Sequence, residues 1–359
     1  MAPISKCRIA VIGAGLGGLT CARALQGAGA DVTVFDKGRF AGGRLASRER
    51  EGGQFDYGAQ YFTVRGEDFR QVVNEWEASG VVAPWPGNFG IVRDGIIEAS
   101  PPERVRYVGR PYMSSVARHL SRDLPLLSLH RITQLTFDQA LRTFRLSGGI
   151  IQNASESGHD TEQFYRSGYD FVVLNMPPAQ ILELFLLLDD DCLRDAIGSS
   201  DAFKALQTVR LAPCFVSMLQ FAAPVDTRFD GLSVKGGALS WLARDSSKPG
   251  RHLVESWILH ASAPWSKAHL EADFEQVGPT LLAEMQKLLG DLPPVVYCKT
   301  QRWRYALAEN PLADGFLFDA EAAIGYCGDW CQGNNIEAAF LSGRKLAERI
   351  LDWHQLKTT

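Results

Sequence analysis

The apolar positions of this chain change period within the first 36 residues. "CRIAVI" (7–12) is a short β-type run. "GAGLGGLTCARALQGAGA" then puts Leu16, Leu19 and Ala22 on one side of a helix and ends in glycines. "DVTVFD" is a second β-type run, stopping on Asp36. Strand, helix and strand in about 30 residues, with short connections, predict a parallel, buried strand pair.

Further along, the pattern alternates between loops and regular elements. Residues 38–60 are rich in Gly and Arg without periodicity and read as loop. Residues 64–100 look mixed and partly helical, with "PWPGNFG" a loop. Met113, Val116, Ala117 and Leu120 predict a helix. "HRITQLTFD" and "TFRLSG" alternate as a hairpin does. Residues 152–168 are polar and read as a long surface loop. "YDFVVLNMPP" is a buried strand stopped by prolines. From 179 to 295, helical runs ("PAQILELFLLL", "FEQVGPTLLAEMQKLLG") mix with strands ("CFVSMLQF", "LVESWILHA"). The last helix starts at Ile336. Its face of Ile336, Ala339, Phe340, Gly343, Leu346, Ala347, Ile350 and Leu351 is expected against the sheet.

Composition narrows the class. A length of 359 residues favours two domains. The 46% apolar and 22% charged residues are those of a globular protein, and a net charge of −4 argues against a general nucleic-acid binder. No apolar run reaches membrane-spanning length. The N-terminal charges and apolar run raise the question of a signal peptide, but the glycines favour strand, turn and helix. The seven scattered cysteines then read as reduced thiols in a cytoplasmic protein. Whether the protein is a monomer or a homodimer stays open.

"VIGAGLGG" contains Gly13-x-Gly15-x-x-Gly18 between the predicted strand and helix. Gly13 permits a tight turn, Gly15 lets backbone approach a pyrophosphate, and Gly18 allows close helix–strand packing. The helix start attracts phosphates. Asp36 is spaced to meet ribose hydroxyls and argues against a 2′-phosphorylated ligand there. The plainer alternative is a glycine-rich turn in an unrelated α/β fold. The fingerprint does not separate NAD from FAD. In "GRFAGGRLASR", Gly42, Gly43 and Arg44 suit a second pyrophosphate contact, where a solvated loop is the alternative. "GYCGDWCQGNNIEAAF" supplies Asp329 after a strand-like "AIGYC", then a Gly/Asn turn into a helix. Such a helix start favours charge developing at a flavin N1 and O2. Cys327 and Cys331 have neither redox nor zinc spacing, so no metal is expected.

Taken together, "VIGAGLGGL…FDKGRFAGGRLASR…FDYGAQYF", "NMPP", "QRWRYAL" and "CGDWC…EAAFLSG" resemble the renalase branch of the flavin amine-oxidase superfamily. The resemblance implies an α/β fold. It has an FAD-binding Rossmann-like domain of the glutathione-reductase/p-hydroxybenzoate-hydroxylase type (1–63, 102–178, 296–359) and an α+β substrate domain (64–101, 179–295). It implies non-covalent FAD, with Gly13, Gly15, Leu16, Gly18, Asp36, Lys37, Gly43 and Arg44 around the ADP half. Ile132 would offer backbone to adenine, with Met176 and Pro177 nearby. Gly328, Asp329, Asn335, Ile336 and Ala339 would hold the flavin end. Ala59, Gln60, Tyr61, Trp303 and His260 would line the flavin and substrate pocket. Bacterial members of the branch often carry an Arg where this chain has Asn335, which puts the substrate in question.

The chemistry implied is oxidation of isomeric dihydronicotinamides, 1,2- and 1,6-dihydro-NAD(P). Hydride moves to flavin N5, and O₂ reoxidises the flavin to give hydrogen peroxide. Stacking and positioning carry such a reaction. Tyr61, Trp257, Trp265, Trp303 and Trp330 invite assignment as an aromatic cage, although most aromatics are core. His260 has three readings: a general base, a donor to a substrate carboxamide, or a structural histidine. One rival is an amine oxidase with a lysine near the flavin, for which Lys235, Lys248 and Lys299 are the candidates. Others are a flavin carrier without turnover and a biosynthetic desaturase.

Overall fold

The computed structural model describes residues 7–50, 52–100, 103–151, 160–188 and 191–358. The chain forms two compact units, each assembled from separated segments. Unit 1 comprises 1–43, 117–210 and 308–359, and unit 2 comprises 44–116 and 211–307.

Unit 1 is built on a six-stranded sheet. Its order is Leu317–Asp319, Ile324–Tyr326, Phe171–Leu174, Arg8–Ile12, Asp31–Phe35 and Leu126–Leu127. All pairs are parallel except the first, which is antiparallel. The inner strands RIAVI and FVVL are almost wholly buried, as strands covered on both faces must be. Helix Leu16–Gly27 connects the first two parallel strands, as expected. The final helix Ile336–Thr358 meets the sheet where Leu346 lies over Gly325, but it also packs directly on the first helix. A Cβ on Gly343 would strike the carbonyl of Gly17, so this helix crossing depends on glycine.

Unit 1 also carries a three-stranded antiparallel sheet of His130–Asp138, Thr143–Ile151 and Asp160–Tyr169. The third strand corrects the loop expected over 152–168. Phe164 and Tyr169 are buried while Tyr165 is 55% exposed, so a strand with a wet face looked like loop by composition. Residues 152–159 lie outside the described residues.

Unit 2 holds a seven-stranded sheet, ordered Val295–Ala308, Leu211–Phe221, Ser256–Ala261, Leu239–Arg244, Gly231–Lys235, Phe89–Arg93 and Ile96–Ala99. Alternation along Leu211–Phe221 separates two cores. Phe215, Leu219 and Phe221 join Val277, Leu281 and Met285 of helix Phe274–Leu289. Cys214, Val216 and Met218 join Phe55, Ile258 and Ala306, with Tyr57 and Trp303 packed alongside. The loop expected over 38–60 instead contains a hairpin, Ser47–Arg50 with Gly53–Asp56. Its second strand is fully buried despite its charge, because Asp56 is paired with Lys248 and Arg251 from a distant segment of the chain.

The compact units are drawn differently from the expected domain segments. Residues 44–63, 103–116 and 296–307 pack in unit 2, and the described part of 179–210 in unit 1. Strand pairing is the reason: Val295–Ala308 is a single 14-residue strand on the unit 2 sheet. No described helix is long and apolar enough to cross a membrane.

Candidate functional site

In unit 1 the fingerprint glycines form a turn that side chains would block. Gly13 sits at φ +105°, and a Cβ there would run into the Asn175 carbonyl. A Cβ on Gly15 would lie 2.8 Å from Asn175 Oδ1, and one on Gly18 would meet the Gly13 carbonyl. Asn175, the first residue of "NMPP", underpins the turn. Its N–H donates to Ile12 (2.8 Å) and its Nδ2 donates to the Cys327 carbonyl (2.8 Å). A polar residue directly after a buried apolar strand is the signal that could have found it.

Asp36 directly follows the second strand, and its carboxylate bonds within the protein. Oδ2 accepts from the Ala14 N–H and Oδ1 from the Gly38 N–H, both at 2.6 Å. Burial pushes its pKa up, against the pull of those two bonds. Asp36 therefore holds the glycine turn to the next loop. That loop lies beside the turn: Gly42 N–H donates to Ala14 (2.8 Å), and Gly42 bridges Gly15. Gly43 is at φ +52°. Lys37 is exposed next to Asp36.

The remaining unit 1 candidates sit in local irregularities. Ile132 borders a β-bulge, where the register with Gly148 and Ser147 slips past residue 133. Trp330 Nε1 donates to the Met176 carbonyl (3.2 Å), and Pro177 precedes helix Pro178–Leu186. Gly328 N–H donates to Ser342 Oγ (3.0 Å), and buried Asp329 starts a 3₁₀ turn. Asn335 caps the last helix. Its Oδ1 accepts from Ala338 N–H (2.9 Å) and its carbonyl from Ala339 N–H (3.1 Å). Ile336 is buried behind it. Cys327 and Cys331 are free and buried, which drives their pKa values well above the ordinary thiol range, so both are poor nucleophiles. Among the described residues no cluster suited to a metal ion occurs.

Unit 2 gathers charge and rings. Lys248 and Arg251 are paired with Asp56 and Asp245, and all four side chains are fully buried. Lys248 Nζ lies 3.2 Å from Asp56 Oδ2 and on Asp245, and Arg251 Nη2 also reaches Asp56. Asp56 further accepts from Ser47 Oγ (2.7 Å) and Met113 N–H (3.0 Å). Burial opposes its charge, but Arg251 and Lys248 outweigh that and hold its carboxyl below the usual range. Of the three lysines considered, only Lys248 is buried; Lys235 and Lys299 are exposed.

Gln60 carries this cluster to His260. Its Oε1 accepts from Lys248 Nζ (3.3 Å), while its Nε2 donates to the carbonyls of Asp56 and Gly58 and faces His260 Nε2 at 3.5 Å. That orientation makes His260 Nε2 the acceptor. Burial, assisted by the Lys248 charge, lowers the His260 pKa to about 3, so the ring is neutral at physiological pH. A group this acidic is a weak proton acceptor, which disfavours the general-base reading. Ala59 N–H is held by the Arg44 carbonyl (2.8 Å), and Arg44 Nη1 donates to Ala306 (2.7 Å). Trp303 stacks on Tyr57 (5.4 Å, 14°) and donates to its carbonyl (2.7 Å). Tyr61 is half-buried against Trp241 and Trp85. The five-membered cage is not formed: Trp257 and Trp330 are fully buried and Trp265 packs on the unit 2 core.

Two family models match the chain. An NAD(P)-binding Rossmann-like domain covers residues 11–76, and flavin containing amine oxidoreductase covers 113–351, two thirds of the chain. The chain belongs to the flavin containing amine oxidoreductase family. It is 24% identical to mouse (Mus musculus) renalase over 327 residues, covering 86% of this chain and 87% of that protein. A shorter match, 40% over 63 residues, is to hydroxyneurosporene desaturase of Rubrivivax gelatinosus and covers only 12% of it. A solved structure from Exiguobacterium sp. 255-15 carrying the name protoporphyrinogen oxidase superposes with a TM-score of 0.72, covering 96% of this chain and 99% of that one at 11% identity. The fold is thus a Rossmann-like dinucleotide-binding domain with an amine-oxidase substrate domain, and the protein is a flavin-dependent oxidoreductase.

The unit 1 residues suit that cofactor. The glycine turn lets backbone approach closely, and the N-cap Gly15 has no side chain to cap the first helix, so its leading N–H groups can meet a pyrophosphate.

Proposed function

We propose that this oxidoreductase oxidises dihydronicotinamides of the 1,2- and 1,6-type with non-covalently bound FAD. The observation that carries the reading is the likeness to renalase over nearly the whole of both chains. When bound, the flavin supplies a two-electron acceptor that O₂ reoxidises to yield hydrogen peroxide. In unit 1, Gly13, Gly15 and Gly18 admit the pyrophosphate, and Asp36 keeps their turn in shape. Asp329 and the Asn335 cap form the turn assigned to the flavin end.

The unit 2 residues support oxidation without proton abstraction. His260 is neutral, and Lys248 is committed to two carboxylates. The His260 ring is a poor base near neutral pH. Gln60, Tyr61, Trp303 and His260 position the ring of the substrate and exclude water from it. Oxidation of a small amine is the second reading, favoured by the family match.

Anaerobic mixing tests the proposal. The 1,2- or 1,6-dihydro isomers of NAD bleach the flavin within seconds, while NADH and simple amines act slowly. Rapid bleaching by an amine, with no response to the isomers, would overturn it. Acid precipitation releases the flavin into the supernatant, and a yellow pellet would contradict non-covalent binding.

A further inference from the structure

His260 and Trp241 stand directly opposite each other on neighbouring strands of the unit 2 sheet, so their side chains share a face. Tyr61 lies over that face, its ring centre 5.3 Å from that of Trp241. Arg106 reaches the same ring from another segment. Its guanidinium carbon sits 4.9 Å from the centre of Tyr61 and 3.7 Å from that of Phe89. The nearby cations Lys248 and Arg251 are matched by two carboxylates.

Two donors around Tyr61 have no acceptor among the described residues. Trp241 Nε1 and Arg106 Nη1 are both buried, and among the described residues neither has a hydrogen-bond partner. A buried donor left unpaired is costly, more so on a charged group, and folded proteins leave few of them. Both groups donate and neither accepts. What they lack is an oxygen with lone pairs.

We propose that Trp241 and Arg106 are the specificity-determining donors of the substrate site, binding an acceptor oxygen on a ring held against Tyr61. This rests on the dihydronicotinamide reading, in which the acceptor is the carboxamide carbonyl. A flat ring carrying a carbonyl beside it fits an aromatic face flanked by N–H groups. An alkylamine without such an oxygen leaves both donors unpaired and is selected against.

The test uses the flavin-loaded protein and the variants Trp241→Phe and Arg106→Met. NAD⁺ binding is measured by calorimetry, and anaerobic reduction by the dihydro isomers yields a dissociation constant and a limiting rate. Trp241→Phe weakens both binding constants about tenfold and Arg106→Met by about tenfold or more, with limiting rates within about twofold of the parent. Unchanged binding in both variants, or a loss of rate alone, would overturn the proposal. Dihydronicotinamide riboside isomers, which lack the pyrophosphate, show the same loss. A loss confined to the dinucleotide assigns the donors to phosphate and overturns the carboxamide assignment. If the parent binds NAD⁺ but neither isomer bleaches it, the functional reading fails, while the variants' NAD⁺ affinities still judge the donors. Failure of the parent to bind NAD⁺ overturns both. Should Arg106→Met not fold, Trp241→Phe, which keeps an aromatic ring, decides alone.

Discussion

The candidate residues of the two units are organised on different principles. In unit 1 the glycine turn, the second glycine loop and the helix start are backbone features, locked by Asn175 and Asp36. In unit 2 the corresponding work is done by side chains: two carboxylates, two cations, Gln60, His260 and a group of rings. A backbone site tolerates little change at the residue that shapes it. A side-chain network fails through whatever partner is left behind.

That contrast is sharpest at Asp56. Removing it by Asp56→Ala leaves Arg251 and Lys248 buried with one carboxylate between them, a loss of about 3–5 kcal/mol. The urea midpoint of the variant should fall accordingly, and a loss under about 1 kcal/mol would mean that the cluster is not the buried network described. In unit 1 the matching change is Gly18→Ala, whose methyl meets the Gly13 carbonyl. Its flavin content after purification should drop about tenfold or more, as expected for a turn that no longer admits the pyrophosphate. Retention of full flavin would break the comparison.

Smaller substitutions refine it. Asn175→Ala opens the space beneath the turn and leaves the Cys327 carbonyl unpaired, costing about 1–3 kcal/mol, read from thermal unfolding. Asn335→Ala removes a helix cap for about 1 kcal/mol, while Asn335→Asp keeps it. If Asn335→Asp is as damaging as Asn335→Ala, capping is not what the side chain contributes. The smallest signal is a pH slope. The folded His260 resists protonation down to about pH 3, whereas the unfolded ring takes a proton near 6.5. The unfolded state therefore binds more protons in that window, and stability declines as pH falls from about 6.5 towards 3. Replacing His260 with Gln should flatten that part of the profile. Asp56 adds to the decline at its lower end, since its stabilising charge is lost as pH falls through its depressed pKa.

Legibility followed the same division. Gly13, Gly15, Gly18 and Asp36 could be read directly because sterics demand glycine at a tight turn and the spacing to the next strand end is short. Each of them lies within 25 residues of the others. The hairpin over 47–56 was missed because its burial makes sense only with Lys248, Arg251 and Asp245, which are 189 to 195 residues from Asp56. The strand over 160–169 was missed because one wet face diluted its apolar content. The compact-unit boundary near 308 differs from the expected segment start at 296 because a 14-residue strand belongs to whichever sheet accepts it, and periodicity does not name the sheet.

By itself, then, the sequence determined the parallel strand–helix–strand start, the glycine turn, the last helix and, through its motifs, the flavin family. These depend on local sterics and on residues close in the chain. The tertiary structure alone decided that Asp56, Lys248, Arg251 and Asp245 share one buried cluster, that Gln60 links it to a neutral His260, and that Trp257 and Trp330 are core. Those are properties of the packed interior, where burial and distant charges set protonation and pairing.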